Sequence, residues 1–254
     1  VRYGRRVIVE LSTPDGTAEA WLARPADSGD RRLPGVLLFM DAFGLRPRIH
    51  EMADRIASWG YTVLAPNVFY RNGTAAQTTP DGPVDTDEKR SAFFAVAMPR
   101  IRALTPSRAL SDIAAYLDAL TSRDDVSTPI GTVGYCMGAR LAVRAACAHP
   151  EAIAACGGFH GGGLATDDPD SPHIGLPTAR AEFVFGHADH DRSMDQAAVA
   201  RLGAALDAAG LTATNEIYEG AAHGYTMSDT QAYDEVAAER HFTALRDLLD
   251  RTLR

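Results

Sequence analysis

Three residue types needed for nucleophilic acyl transfer occur in order along this chain: a cysteine between glycines, a pair of aspartates and a glycine-flanked histidine. Cys136 is the centre of G-Y-C-M-G, Gly134 to Gly138, between the apolar run "PIGTVGY" and the alanine-rich "ARLAVRAACAH". At a strand-to-helix junction the central residue of such a turn is strained, and small residues on both sides let strand and helix approach. The same turn places Cys136 at a helix N-terminus, where the dipole favours negative charge. The Met137 N–H would then point at a reacting carbonyl as one oxyanion donor, with the Ala42 N–H in "FMDAFG" as the second. Taken alone, G-x-C-x-G is a weak pattern, because buried free cysteines are common. Cys147 and Cys156 lack this context and read as structural.

The partners narrow the choice. His223 lies in "EGAAHGYTM", a glycine-flanked loop after the expected strand "ATNEIY", where an imidazole can face a cleft. His50 and His241 fall on expected helices and read as surface or packing residues. His149 falls at a helix C-terminus, where a cation is favourable. His160 and His173 belong to a long irregular segment that could line a pocket. The acid is expected after the strand "AEFVF", in "GHADHDRSM", which offers Asp189 and Asp191. Asp191 is favoured because an apolar residue, Met194, follows three positions later and can pack back, whereas Asp189 is followed by Arg192. Such an acid would hold the histidine in one tautomer and stabilise its cation. Tyr135, Phe43 and Tyr225 are candidate pocket walls, and Arg71 is a candidate source of positive charge.

These residues must be positioned by an alternating α/β chain. "RVIVEL" and "EAWLA", joined by "TPDG", read as a hairpin. Gly35–Met40 is a continuous apolar run, as expected for a buried parallel strand. A helix over Arg48–Trp59 precedes the strand "YTVLAP", and Arg71–Lys89 reads as a long surface loop. A helix over Ser107–Leu120 presents Leu110, Ile113, Leu117 and Leu120. Strands then fall at Ile130–Val133, Ala152–Ala155, Glu182–Phe185 and Ala213–Tyr218. The helices between and after them are Met137–His149, Met194–Ala209 and Tyr233–Leu253, the last with Val236, Leu245, Leu248 and Leu249. This alternation implies one α/β domain over residues 1–254, a mostly parallel twisted sheet with helices on both faces and an N-terminal antiparallel hairpin. Ligands of such sheets bind beyond the carboxyl ends of the strands, which is where the chemistry-bearing residues fall.

Composition sets the bounds. The chain has 254 residues, a formal net charge of −8 and 46% hydrophobic residues, values of an ordinary globular protein. The acidic balance disfavours a nucleic-acid partner. No apolar run is long enough to span a membrane, and the alternating N-terminal segment "VRYGRRVIVE" lacks the apolar core of a signal peptide. Three cysteines at spacings of eleven and nine match neither a disulfide framework nor a zinc pattern. A cytoplasmic protein acting on a small molecule without metal or cofactor, as a monomer or homodimer, is the expectation.

The segments "MDAFGL", "GYTVLAPNVFYR", "GYCMGARLA", "FHGGGL", "SPH", "ADHDRSM" and "GAAHGYTM" together resemble the dienelactone hydrolase family of α/β-hydrolases. The resemblance runs from the strand at Gly35 to the last helix. It implies a Cys–Asp–His triad at Cys136, Asp191 and His223. It also implies an acidic residue in the oxyanion-side loop that pairs with the site and gates the thiol, here Asp41, one methylene shorter than the glutamate of the enzyme that gives the family its name. That enzyme binds its substrate's carboxylate with an arginine four residues after the histidine; this chain has Met227. The implied reaction is hydrolysis of a lactone or small ester, with a neutral or differently charged substrate. A general carboxylesterase or thioesterase, a redox-responsive cysteine protein and a non-catalytic binding scaffold are the rival readings.

Overall fold

The computed structural model describes residues 6–254, which divide into two compact units, residues 6–128 with 229–231, and residues 129–228 with 232–254. The first five residues, which precede the expected strand Arg6–Leu11 in the alternating N-terminal segment, lie outside the described residues.

In the first unit, β1 (Arg6–Thr13) and β2 (Gly16–Ala23) form an antiparallel hairpin about the two-residue turn Pro14–Asp15. β2 pairs antiparallel with β4 (Thr62–Pro66), and β4 pairs parallel with β3 (Leu33–Phe39). Val36, Leu37, Leu38 and Phe39 are all solvent-inaccessible, so this strand is apolar on both faces, as a central parallel strand must be. α1 (Pro47–Ser58) starts on a proline, whose fixed φ and missing N–H suit a first helical turn. Its buried Ile49, Met52, Ala53 and Ile56 form the single apolar stripe that packs on β4 and β2.

Two expectations need correction here. The segment 71–89 is not one loop. It contains a 3-10 turn (Tyr70–Asn72), a short helix α2 (Ala75–Thr78) closed by a Thr74–Gln77 capping box, and the start of α3 (Asp87–Ala103). α3 has no apolar stripe to announce it: Ala97 is its one buried residue, and Pro99 lies inside it. In α4 (Pro106–Thr121) the buried stripe is Ala109, Ile113, Tyr116, Leu117 and Leu120, so Leu110 falls beside it and is exposed.

The second unit is a parallel arrangement in the order β5 (Val126–Tyr135), β6 (Ile153–Phe159), β7 (Glu182–Ala188) and β8 (Ala213–Tyr218). The unit boundary falls within β5. β6 and β7 run further than their apolar cores suggested, because Gly157–Phe159 and Gly186–Ala188 continue the ladder. α5 (Met137–Ala148) packs on β6, and α6 (Gln196–Ala208) connects β7 to β8. α7 (Glu235–Leu253) covers β6 and β7 with Phe242, Leu245, Leu248 and Leu249. Val236, expected on that face, is 81% exposed, because Ala237 and Ala238 take the inward positions in the first turn. Among the described residues no helix is long and apolar enough to cross a membrane.

Candidate active site

The turn around Cys136 is built by close contact between backbones. β5 ends at Tyr135 and α5 begins at Met137, so a single residue separates strand from helix. Cys136 takes φ 54° and ψ −118°, a conformation that L-residues seldom adopt and that fixed surroundings must hold. A Cβ on Gly134 would lie 2.1 Å from the Gly138 carbonyl oxygen; only a glycine lets the strand end approach the first turn of the helix this closely. The Cys136 N–H donates to Phe159 O at 3.1 Å, which ties the turn to the neighbouring strand. Cys136 and Cys147 are both half-buried and Cys156 is buried; burial pushes the Cys156 and Cys147 thiols up to about 12 and about 11. Those two are unreactive by environment.

Asp191 lies in the loop after β7, His223 in the loop after β8. Nδ1–H of His223 donates to Asp191 Oδ2 at 2.5 Å. The other carboxylate oxygen, Oδ1, accepts from the Ser193 N–H at 2.8 Å and from the Ser193 hydroxyl at 2.7 Å. With Nδ1 engaged, the remaining ring nitrogen of His223 is left for the side-chain hydrogen bond that it makes with Cys136. The three residues thus meet in one linear relay within the second unit. Asp189 is used differently: its carboxylate accepts from the Gly220 and His190 N–H groups, which staples the two loops together.

The electrostatics follow from this geometry. Burial pulls His223 down, but the electrostatic influence of Cys136 and the bonds to Asp191 and Cys136 outweigh it and raise the imidazole to about 10. Burial pulls the Asp191 carboxyl up, yet the bonds from His223 and Ser193 hold it at about 2. Asp191 is therefore ionised at any working pH, and the histidine cation is stabilised from both sides.

Other expected residues are placed elsewhere. Tyr135 and Tyr225 are solvent-inaccessible core residues, not pocket walls. His241 donates from Nδ1 to Ala238 O, so its Nε2 accepts from the Tyr135 hydroxyl at 3.3 Å. The Tyr225 hydroxyl donates to Gly186 O at 3.0 Å. His241 is thus a packing residue. His149 is the C-cap of α5, but burial lowers its imidazole and so works against the cation that the position would favour. His173 bonds Ser171. Met227 is buried at 1% exposure. His160 is buried completely and packs against His223 with ring centroids 5.4 Å apart.

In the first unit, Asp41 accepts from two guanidinium nitrogens of Arg46 at 2.6 and 3.1 Å, and Arg46 also reaches Asp229. Against burial, which opposes its charge, these carboxylates hold the Arg46 guanidinium above its usual range. Ala42 follows at 3% exposure, and half-buried Phe43 clusters with Phe93 and Phe94. Arg71 is partly exposed and already held by carboxylates. It makes two bonds to Asp112, at 2.6 and 2.9 Å, and one to Asp15 at 2.6 Å.

Two contributors escaped the sequence reading, Ser193 and Thr226. For Ser193 a signal exists: an aspartate followed two positions later by a serine can form the Asx-type bond seen here from the Ser193 N–H. Thr226 has no local signal, since its hydroxyl partner, His160, is distant in sequence. A cavity of about 380 Å³ borders Asp191, His190, Arg192, Met194 and Ile217. Neither Cys136 nor His223 lines it, so it belongs to the acid loop and not to the sulfur. Among the described residues no cluster of three or more His, Cys, Asp or Glu is arranged to hold a metal ion.

Comparison with known proteins places the chain. A model of the dienelactone hydrolase family matches residues 18–253. The carboxymethylenebutenolidase of Rhodococcus opacus is 27% identical over 235 residues, which cover 92% of this chain and 86% of that protein. In three dimensions the chain is similar to a dienelactone hydrolase-like promiscuous phosphotriesterase from metagenomic libraries (TM-score 0.78, 20% identity, 99% of each chain). It is also similar to a dienelactone hydrolase from Anabaena variabilis (TM-score 0.67, 17% identity, 100% of each chain). The fold shared with these structures is the α/β-hydrolase fold.

Proposed function

The chain belongs to the dienelactone hydrolase family, and on that premise we propose that it hydrolyses a lactone or small carboxylic ester through Cys136, without a cofactor. The observation that carries this reading is the relay from Asp191 through His223 to Cys136. The Cys136 sulfur, its proton passed to His223, attacks the carbonyl carbon, and the carbonyl π electrons move to oxygen, where the Met137 N–H at the start of α5 receives the charge. Collapse breaks the bond to the alcohol oxygen, which takes its proton from His223, and leaves a thioester on Cys136. His223 then removes a proton from water, which attacks the thioester and releases the acid. Asp191 holds the tautomer and the cation throughout.

The substrate class follows from charge. Met227, at the position where the family's named enzyme carries a carboxylate-binding arginine, is apolar and buried. Arg71 is already paired with two carboxylates. A neutral ester or lactone fits this set better than an anionic one.

The test is hydrolysis of p-nitrophenyl acetate and of paired neutral and acidic lactones and thioesters, with Cys136→Ala as the blank. Wild-type turnover with a trapped acyl adduct on Cys136 by mass spectrometry, and none in the folded variant, is expected. Full activity of Cys136→Ala would overturn the reading, and a preference for acidic lactones would overturn the substrate class.

A further inference from the structure

His160 is the most unusual buried group that the relay does not use. It follows β6 with φ +38°, a region that non-glycine residues occupy only when their surroundings over-determine it. Its side chain is solvent-inaccessible. Nε2 shares a hydrogen bond of 2.7 Å with the Thr226 hydroxyl, while Nδ1 has no hydrogen-bond partner among the described residues. A buried polar atom left unpaired is costly, so a position that keeps one has a reason to need the ring.

That reason is visible when the contacts are followed around. From His160 the chain runs through Gly161 and Gly162 to Gly163, whose N–H donates to Ser193 O at 2.7 Å. The Ser193 hydroxyl donates to Asp191, and Asp191 accepts from His223. Three residues beyond His223, Thr226 meets His160. The contacts form a closed ring through three loops, those after β6, β7 and β8. The path is tight: a Cβ on Gly161 would lie 2.7 Å from Ala139 Cβ, and one on Gly162 would lie 2.6 Å from Ser193 Oγ. His160–Thr226 is the link that closes the ring on the side of the base.

We propose that His160 and Thr226 are positioning residues, whose hydrogen bond fixes the His223 loop against Asp191 so that the imidazole stays aligned with Cys136. The inference rests on His223 acting as the base. His160 serves this role as a neutral ring. A second proton would place a charge in a fully buried ring beside His223 and His241, and burial with these two neighbours outweighs the opposing influence of its own backbone and of Asp191. Tyr135 and Tyr225 complete its surroundings.

The decisive variant is Thr226→Val, which keeps shape and removes the hydroxyl, with Thr226→Ser as the conservative rescue and His160→Gln as a side chain that can still hydrogen-bond near the Nε2 position. In Thr226→Val, kcat should fall about tenfold, within the ~10² that misplacing a group by about 1 Å can cost, with KM unchanged. The His223 imidazole titration followed by NMR should move to lower pH. Thr226→Ser should restore both, and His160→Gln should recover more than His160→Phe. Wild-type kcat and an unmoved titration in folded Thr226→Val would overturn the proposal, as would a loss that Thr226→Ser does not repair. If Cys136→Ala stays active, the catalytic reading has failed instead, and the two failures are distinguishable.

Discussion

Asp191 presents one carboxylate oxygen to His223 and the other to Ser193, so the acid is fixed from its far side before it touches the base. Asp189, two residues earlier, has both oxygens on backbone N–H groups and none on His223. The two aspartates should therefore separate in kinetics. Asp191→Asn is expected to lower kcat by about 10³–10⁴, the scale for a histidine left in the wrong tautomer. Asp189→Asn should cost less than about tenfold, through loosening of its two loops. Steady-state kinetics on one chromogenic ester checks this; equal losses would remove Asp191 from the relay.

The strand-to-helix turn tolerates no side chain at Gly134. Its missing Cβ would meet the Gly138 carbonyl group, and both are backbone atoms that cannot rotate away. Gly134→Ala should destabilise the protein at or beyond the upper end of the ~1–3 kcal/mol typical of overpacking. Urea denaturation measures it, and a midpoint equal to wild type would show that the turn is looser than described.

The raised His223 sets a window of pH. Its folded value of about 10 lies above the unfolded ~6.5, so the folded state binds the extra proton. The stability it contributes is complete below about 6.5 and is lost as pH rises through about 10. Wild-type urea midpoints should fall across that interval, and His223→Gln should flatten the fall. Cys136→Ala removes the largest influence that raises the imidazole, so the histidine titration should move down in that variant. An unchanged NMR titration would show that the two side chains do not interact.

Arg46 joins Asp41 and Asp229 in a buried cluster, with Arg46 and Asp41 at 6% and 3% side-chain exposure. Arg46→Met would strand the Asp41 carboxylate without its cation and should cost about 3–5 kcal/mol. The double variant Arg46→Met, Asp41→Asn should recover part of this loss, since the stranded charge is gone. Non-additivity in a denaturation cycle is the measurement.

The sequence by itself determined the elements whose apolar period is strong and the residues whose local neighbours betray them. β3, β4 and α1 emerge near their expected limits because buried residues dominate them or their inward face, and β8 does so although only Tyr218 in it is buried. Cys136 and His223 were legible because glycines flank both in chain order. What the periodicity could not carry was α3, whose exposed sequence has no stripe. The inward faces of α4 and α7 were also beyond it, because the choice between Leu110 and Ala109, or Val236 and Ala237, depends on what stands opposite. Only the tertiary structure decided that Tyr135 and Tyr225 are core, that Arg71 belongs to Asp112 and Asp15, and that His160 reaches Thr226 across 66 positions of sequence. The physical reason is the same in each case. A hydrogen bond or ion pair between distant segments is set by how strands are ordered and loops converge, and no local preference of the chain encodes that meeting.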